Sequence, residues 1–398
     1  MPVSQNAPVN SDRMWSRNFI CVFLTSMFLN SAFWTIVPMV SSYCLELGAD
    51  LKTASFVASL MSFAAMILRP VAGMVSDQIN RKKLILITAL VYALLAFMHV
   101  FAKDVRMLAV CRILVGVAFS FSSVSIMAFG TLFIPDSRLG EGMGWLSLGQ
   151  VISQSLGPGI GIFLIDNFGY TACFIGSAVM GLISLVCMLM ISYEEEKKKF
   201  TFRKFSFNDI IMVPVIPYAL ILGLFSACSG LDNTFVALIG KERSIAGYSL
   251  FFTAYSAGMF LTRPVFGKLL DKKGLDLMFY PALAAMCVAA FLTSSAASTL
   301  VLVLAAYFKA VGMSSGSQGI QADCIKKFGK DRAGVVSSTN FIGMDIGNVL
   351  GPIIGSTIVE NHGYKTMYQG YGMLVLIAGA AIYTAVRAYE KKHSSNNV

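Results

Sequence analysis

Four charged side chains stand inside long apolar stretches of this sequence: Arg112, Asp232, Lys309 and Asp345. An ionisable group in such surroundings is costly, so each is a functional-site hypothesis by default. Asp232 falls within an arc of about 120° with Ser226, Ser229 and Asn233, at 100° per helical residue, which makes a polar stripe on one helix face. A carboxyl group partly withdrawn from water holds its proton more readily and suits reversible protonation near neutral pH. Asp232 is therefore the first candidate proton carrier; a fixed, hydrogen-bonded structural role is the plain alternative. Lys309 and Asp345 lie near the middle of their stretches. An ion pair between them would keep both from lipid, and it would serve equally as a structural tie or as a second protonation site. Arg112 shares a face with Gly116 and Ser123 and lies only about 8 Å in, close enough for its head to snorkel to the surface.

Uncharged candidates follow the same geometry. Ser314, Ser317, Gln318 and Gln321 share an arc of about 100°, Asn30 and Trp34 lie one turn apart, and Gln150 and Gln154 lie on the face of Gly157 and Gly161. These groups fit the wall of a substrate cavity, or else hydrogen bonds that tie helices together. The 30 phenylalanines and 22 methionines are mostly packing or lipid-facing, and a minority would give an adaptable pocket for amphipathic compounds.

The elements that carry these residues are plain from composition. A chain that is 56% hydrophobic and 13% charged, with mean hydropathy +0.70, is not a soluble globular protein. Apolar blocks between polar breaks give twelve helices, roughly 18–43, 53–75, 84–102, 107–134, 145–165, 171–193, 213–240, 249–270, 277–297, 300–325, 335–358 and 367–388. Each is long enough to cross a bilayer, and the blocks lack the alternation of membrane strands. The first is too long for a signal peptide and is expected to be retained. The implied organisation is a tail (1–17), a six-helix bundle (18–193), a polar linker (194–212), a second bundle (213–388) and a second tail (389–398), an all-α integral membrane protein.

Placing the N-terminus inside puts twenty-one cations in loops on that side and six on the other, with four inside helices. That bias puts both termini in the cytoplasm by the positive-inside rule, and it accounts for the net charge of +10 without nucleic acid. The eight cysteines read as unpaired packing residues. No Walker A loop, metalloprotease or nucleophile-elbow motif is present, so neither ATP drive, enzymatic chemistry, a metal nor a cofactor is expected.

The two bundles repeat one another. Arg69, Pro70, Val71, Gly73 and Asp77 recur 194 residues later as Arg263, Pro264, Val265, Gly267 and Asp271. Gly157, Pro158 and Gly161 recur as Gly351, Pro352 and Gly355 at the same offset, as do Arg138 and Gly140 as Arg332 and Gly334. An even number of helices per unit makes this a parallel repeat about the membrane normal. The first copy continues into Arg81–Lys83, which suits anionic headgroups, while the second continues into Lys272, Lys273 and Gly274. Arg69 and Arg263 sit near the ends of their helices, within snorkelling reach.

Six plus six helices, GxxxD with a following basic cluster, and Gly-Pro-x-x-Gly in the fifth helix resemble the major facilitator superfamily over essentially the whole chain. Gly157–Gly161 is similar to the antiporter motif of its twelve-helix drug:proton exporters. The resemblance implies a secondary transporter in the cell membrane, working by alternating access. It implies that Gly73, Asp77 and Arg81, with Gly267 and Asp271, form a cytoplasmic latch, and that Arg112 takes part in proton coupling. It also implies that the first, fourth, seventh and tenth helices line a central cavity. The expectation is a monomer whose partners are a small-molecule substrate, protons and membrane lipid. Proton-coupled export is the first expectation and proton-coupled import of a small organic anion the second.

Overall fold

The computed structural model describes residues 14–193 and 211–394. Most of the expected N-terminal tail, nearly all of the linker and the last four residues lie outside that range.

Among the described residues the chain is helical with no strand, as a backbone without water must be. Its membrane helices are α1 (Arg17–Glu46, through a 3₁₀ turn at Val37–Met39), α2 (Leu51–Gln78), α3 (Arg81–Met98), α4 (Val105–Gly130), α5 (139–168), α6 (170–189), α7 (Ile216–Glu242), α8 (Leu250–Lys273), α9 (Leu275–Ser294), α10 (Thr299–Phe328), α11 (333–362) and α12 (364–394). Gly169 separates α5 from α6 and Gly363 separates α11 from α12, at φ 79° and 75°. A single left-handed residue turns the chain there, a conformation glycine adopts without a Cβ clash. The two glycines are repeat mates, so both units reverse by the same device. α8 carries five charged residues, Arg263, Lys268, Asp271, Lys272 and Lys273, in its second half.

Within each unit, small residues let backbones meet, as is usual between helices in lipid. A Cβ on Gly157 would lie 2.6 Å from the Trp34 Cβ of α1, and Gly161 abuts the Thr35 carbonyl. In the second unit Gly351 meets Ala227 of α7, and Gly347 meets the Gly223 carbonyl. The Gly-Pro motif thus packs α5 on α1 and α11 on α7, inside each bundle rather than between them.

The units meet through α2 against α11 and α5 against α8. Both contacts are tight at the end carrying the α2–α3 and α8–α9 turns, called the basic end. A Cβ on Gly73 would lie 2.9 Å from the Gly334 carbonyl, and one on Gly140 would lie 2.6 Å from the Gly267 carbonyl. All eight cysteines are unpaired.

Candidate functional site

The basic end is held by two related sets of bonds. Asp77 accepts from the backbone N–H of Gly334 at 2.8 Å and of Val335 at 2.9 Å, the first residues of α11. Asp271 accepts from Gly140 at 2.7 Å and Glu141 at 3.0 Å, the first residues of α5. Each carboxylate caps a helix start, where unpaired N–H groups and the helix dipole favour negative charge. The Arg81 guanidinium joins Asp77 at 2.8 Å and also donates to the carbonyls of Ser76, Lys330 and Asp331. Leu275 stands at the repeat position of Arg81, so the second cap lacks this clamp. Lys268–Glu141 at 3.4 Å and Lys330–Asp136 at 2.8 Å add bonds between the units.

Beyond these contacts, between the two units, lies a cavity of about 280 Å³. Asn30, Trp34, Gln150 and Gln154 of the first unit line it with Ser226, Ser229, Asn233 and Gln318 of the second. Gln321 and Asn348 add further polar groups, and aromatic and thioether side chains line much of the remainder, among them Phe33, Phe119, Phe341 and Met344. The charged lining residues are Arg69, Arg263 and Asp345.

Arg69 and Asp345 form an ion pair from α2 to α11, across the two units. Arg69 also donates to Ser123 Oγ at 3.2 Å and lies over the Phe341 ring at 4.8 Å. Its own carbonyl accepts from Ser338 Oγ at 2.6 Å. Asp345 keeps 29% of its side chain exposed. The reading of Arg69 as a snorkelling residue is therefore corrected: it is buried and paired. The signal for this was present. Arg69, Gly73 and Asp77 lie on one face of α2, and Asp345, Ser338 and Gly334 lie in the reverse order on one face of α11.

The other expected charges sit elsewhere. Lys309 pairs with Asp232 at 2.7 Å, not with Asp345, and both are buried inside the second unit. Tyr368 of α12 donates to the same carboxylate at 3.0 Å, Cys228 Sγ lies 3.5 Å away, and the Lys309 head lies 4.4 Å from the Tyr255 ring centre. Asp232 is thus off the cavity although Ser226, Ser229 and Asn233 line it. It occupies the edge of their arc, and α10 and α12 close over that edge. Lys309, expected in the substrate cavity, is excluded with it.

Ser314 and Ser317 are buried but outside the cavity, and Ser314 meets Thr262 Oγ1 at 2.7 Å. The cause is a π-helical turn at Met313–Ser317. Its wider turn makes the side chains lag behind ideal helical spacing, which breaks the expected arc between these serines and Gln318. Arg112 is buried in the first unit, donating to the Ala58 carbonyl at 3.2 Å and lying 3.3 Å from Met61 Sδ. It faces α2, beside Gly116, and no carboxylate pairs with it among the described residues.

Comparison with known proteins agrees with this architecture. A profile of the Major Facilitator Superfamily matches residues 19–347 and 220–397. The multidrug resistance protein MdtG of Escherichia coli O9:H4 (strain HS) is 24% identical over 413 residues, covering 98% of this chain and 96% of the relative. MdtG of Enterobacter lignolyticus (strain SCF1) is 25% identical over 400 residues, covering 96% and 94%. Among solved structures, a bacterial homologue of the iron transporter ferroportin in its outward-facing state superposes with TM-score 0.77 at 16% identity, covering 94% of this chain and 100% of that one. The human organic anion transporter MFSD10 superposes with TM-score 0.73 at 14% identity, covering 92% and 99%. At these identities the structural likeness speaks for the fold alone.

Proposed function

The chain belongs to the major facilitator superfamily and is a multi-pass membrane transporter, and we propose that it exports small organic molecules in exchange for protons. The observation that carries this reading is the Arg69–Asp345 pair, a partly exposed carboxylate bonded across the two units in the cavity wall. Protonation of Asp345 removes one charge of that bond and weakens the hold between α2 and α11 beside the Asp77 cap. The units then part at the basic end, which the distribution of cations assigns to the cytoplasm together with both termini. The proton leaves there and substrate enters. Re-pairing of Arg69 with Asp345 favours closure, and the cargo is released on the far side. Coupling then needs one carboxylate with two surroundings, as alternating access about a fixed site requires. Asn30, Trp34, Gln150, Gln154, Ser226, Ser229, Asn233 and Gln318 are the proposed substrate contacts. The relatives named multidrug resistance protein MdtG support the choice of cargo.

The test is proton movement in proteoliposomes, with a panel of neutral, cationic and anionic amphipathic dyes. Wild type should dissipate an imposed pH gradient when a transported dye is added. Asp345→Asn should abolish that proton movement and keep dye exchange at equal pH. Dye-driven proton flux in Asp345→Asn refutes the assignment. A second reading, symport of an organic anion with a proton, draws on the surplus positive charge of the cavity; proton flux in the same direction as the dye would select it.

A further inference from the structure

Arg263 is the repeat mate of Arg69, and its backbone meets the facing helix at the matching position. Ser338 touches the Arg69 carbonyl, and a Cβ on Gly144, the repeat mate of Ser338, would lie 2.9 Å from the Arg263 carbonyl. The side-chain surroundings have diverged at three of four matching positions. Where Arg69 has Asp345, Ser123, Phe119 and Phe341, the matching positions around Arg263 hold Val151, Ser317, Met313 and Ser147. The acid has become a valine and both rings are gone. Ser317, drawn off by the π-helical turn, leaves its Oγ buried without a partner.

Arg263 is 7% exposed, lines the cavity, and has buried Nε and Nη1 atoms with no hydrogen-bond partner. No carboxylate pairs with it among the described residues. Gln318, also in the cavity wall, has a buried, unpartnered Oε1, and turning its amide over presents N–H groups instead. With Arg69 neutralised by Asp345, the cavity keeps one uncompensated positive charge. A buried cation left this way is costly unless something anionic completes it. A guanidinium also favours planar two-oxygen anions through paired N–H donors.

We propose that Arg263 is a substrate subsite for the acidic group of an amphipathic organic anion, a carboxylate above all, which fills the place Asp345 fills for Arg69. Val151 marks that place on α5, and the apolar walls receive the rest of the molecule. The proposal rests on the cavity being the transport site and is independent of the direction of proton coupling.

Equilibrium binding of three radiolabelled probes with one ring system tests it: 1-naphthoate, 1-naphthamide and 1-naphthylmethylammonium, on the purified full chain. Wild type should bind the carboxylate at least about tenfold more tightly than the amide, as a two-oxygen ion pair with the guanidinium in place of one bond to a neutral carbonyl gives. Arg263→Gln should remove that preference while the amide still binds, and Arg263→Lys should keep part of it. Val151→Asp gives Arg263 an internal carboxylate, so it should lose naphthoate binding as Arg263→Gln does while keeping the amide. Equal affinity of wild type for the three probes, no naphthoate binding, preference for the ammonium, or wild-type naphthoate affinity in Arg263→Gln would overturn the proposal. Proton flux in Asp345→Asn is read separately. Loss of coupling there with unchanged naphthoate affinity in Arg263→Gln removes the subsite and leaves the proposed function; the reverse pair of results does the opposite.

Discussion

Lys309→Met is expected to destabilise the folded protein by about 3–5 kcal/mol, the usual consequence of stripping one partner from a buried ion pair. The residual Asp232 would keep Tyr368 and Cys228 but have no cation, in a site closed by α7, α10 and α12. Two charges desolvated together are different: replacing both by neutral groups removes the attraction and the desolvation cost at once. Asp232→Asn combined with Lys309→Met should therefore regain most of the lost stability. Denaturant titration in mixed micelles, followed by far-ultraviolet circular dichroism, measures all three variants. If the double variant is as unstable as Lys309→Met, the ion pair is not what is being lost. The folded double variant also settles the role of Asp232. Proton coupling should persist in it, since the pair is walled off from the cavity. Loss of coupling would return Asp232 to the position of carrier.

Asp77→Ala should open the basic end. Its carboxylate serves two N–H groups at the start of α11 and the Arg81 guanidinium, and all three lose it together. Charge-assisted bonds of this kind suggest a shift of about 2–4 kcal/mol, roughly thirtyfold to several-hundredfold in the ratio of closed to open forms. Asp271→Ala should shift it less, because no arginine shares that carboxylate. Spin labels on Lys83 and Lys272, exposed at the basic end on opposite units, report the distance between them by pulsed electron resonance. Asp77→Ala should move the main distance population outward by more than Asp271→Ala does. An unchanged distribution, or equal effects, would refute the unequal roles of the two caps.

The fold was legible because its signals are one-dimensional. Apolar length marks a span, and the fixed offset of 194 residues marks a duplication, whether or not any contact is known. Asp77 and Asp271 were legible for the same reason, since the repeat pointed to each of them twice. Partnership between buried charges was not. Lys309 and Asp345 agree in depth along their helices, but depth says nothing about direction around the helix axis. Lys309 points into its own unit, where Asp232 waits on the shoulder of a stripe whose other members face the cavity. The serines of α10 failed for a local reason, because a π-helical turn has no clear mark in Met-Ser-Ser-Gly-Ser. Arg263 was hidden by its likeness to Arg69. Two identical motifs read as two identical roles, and the difference lay in Val151, a residue with nothing to attract notice.

The Asp232–Lys309 pair also sets a problem of timing during synthesis. Asp232 enters the membrane with α7, and its cation is seventy-seven residues behind it on the ribosome. At 5–20 residues per second that is about 4–15 s in which a carboxyl group resides in a lipid-bound helix without its partner. An isolated acid near the centre of an inserting helix costs about 2.5–3.5 kcal/mol on the insertion scale. Shelter by the insertion machinery or by the completed first unit would lower that cost until α10 arrives. Lys309 meets no such delay, because its acid is already in place when it enters. The second unit is thus assembled around a charge that was inserted early and neutralised late.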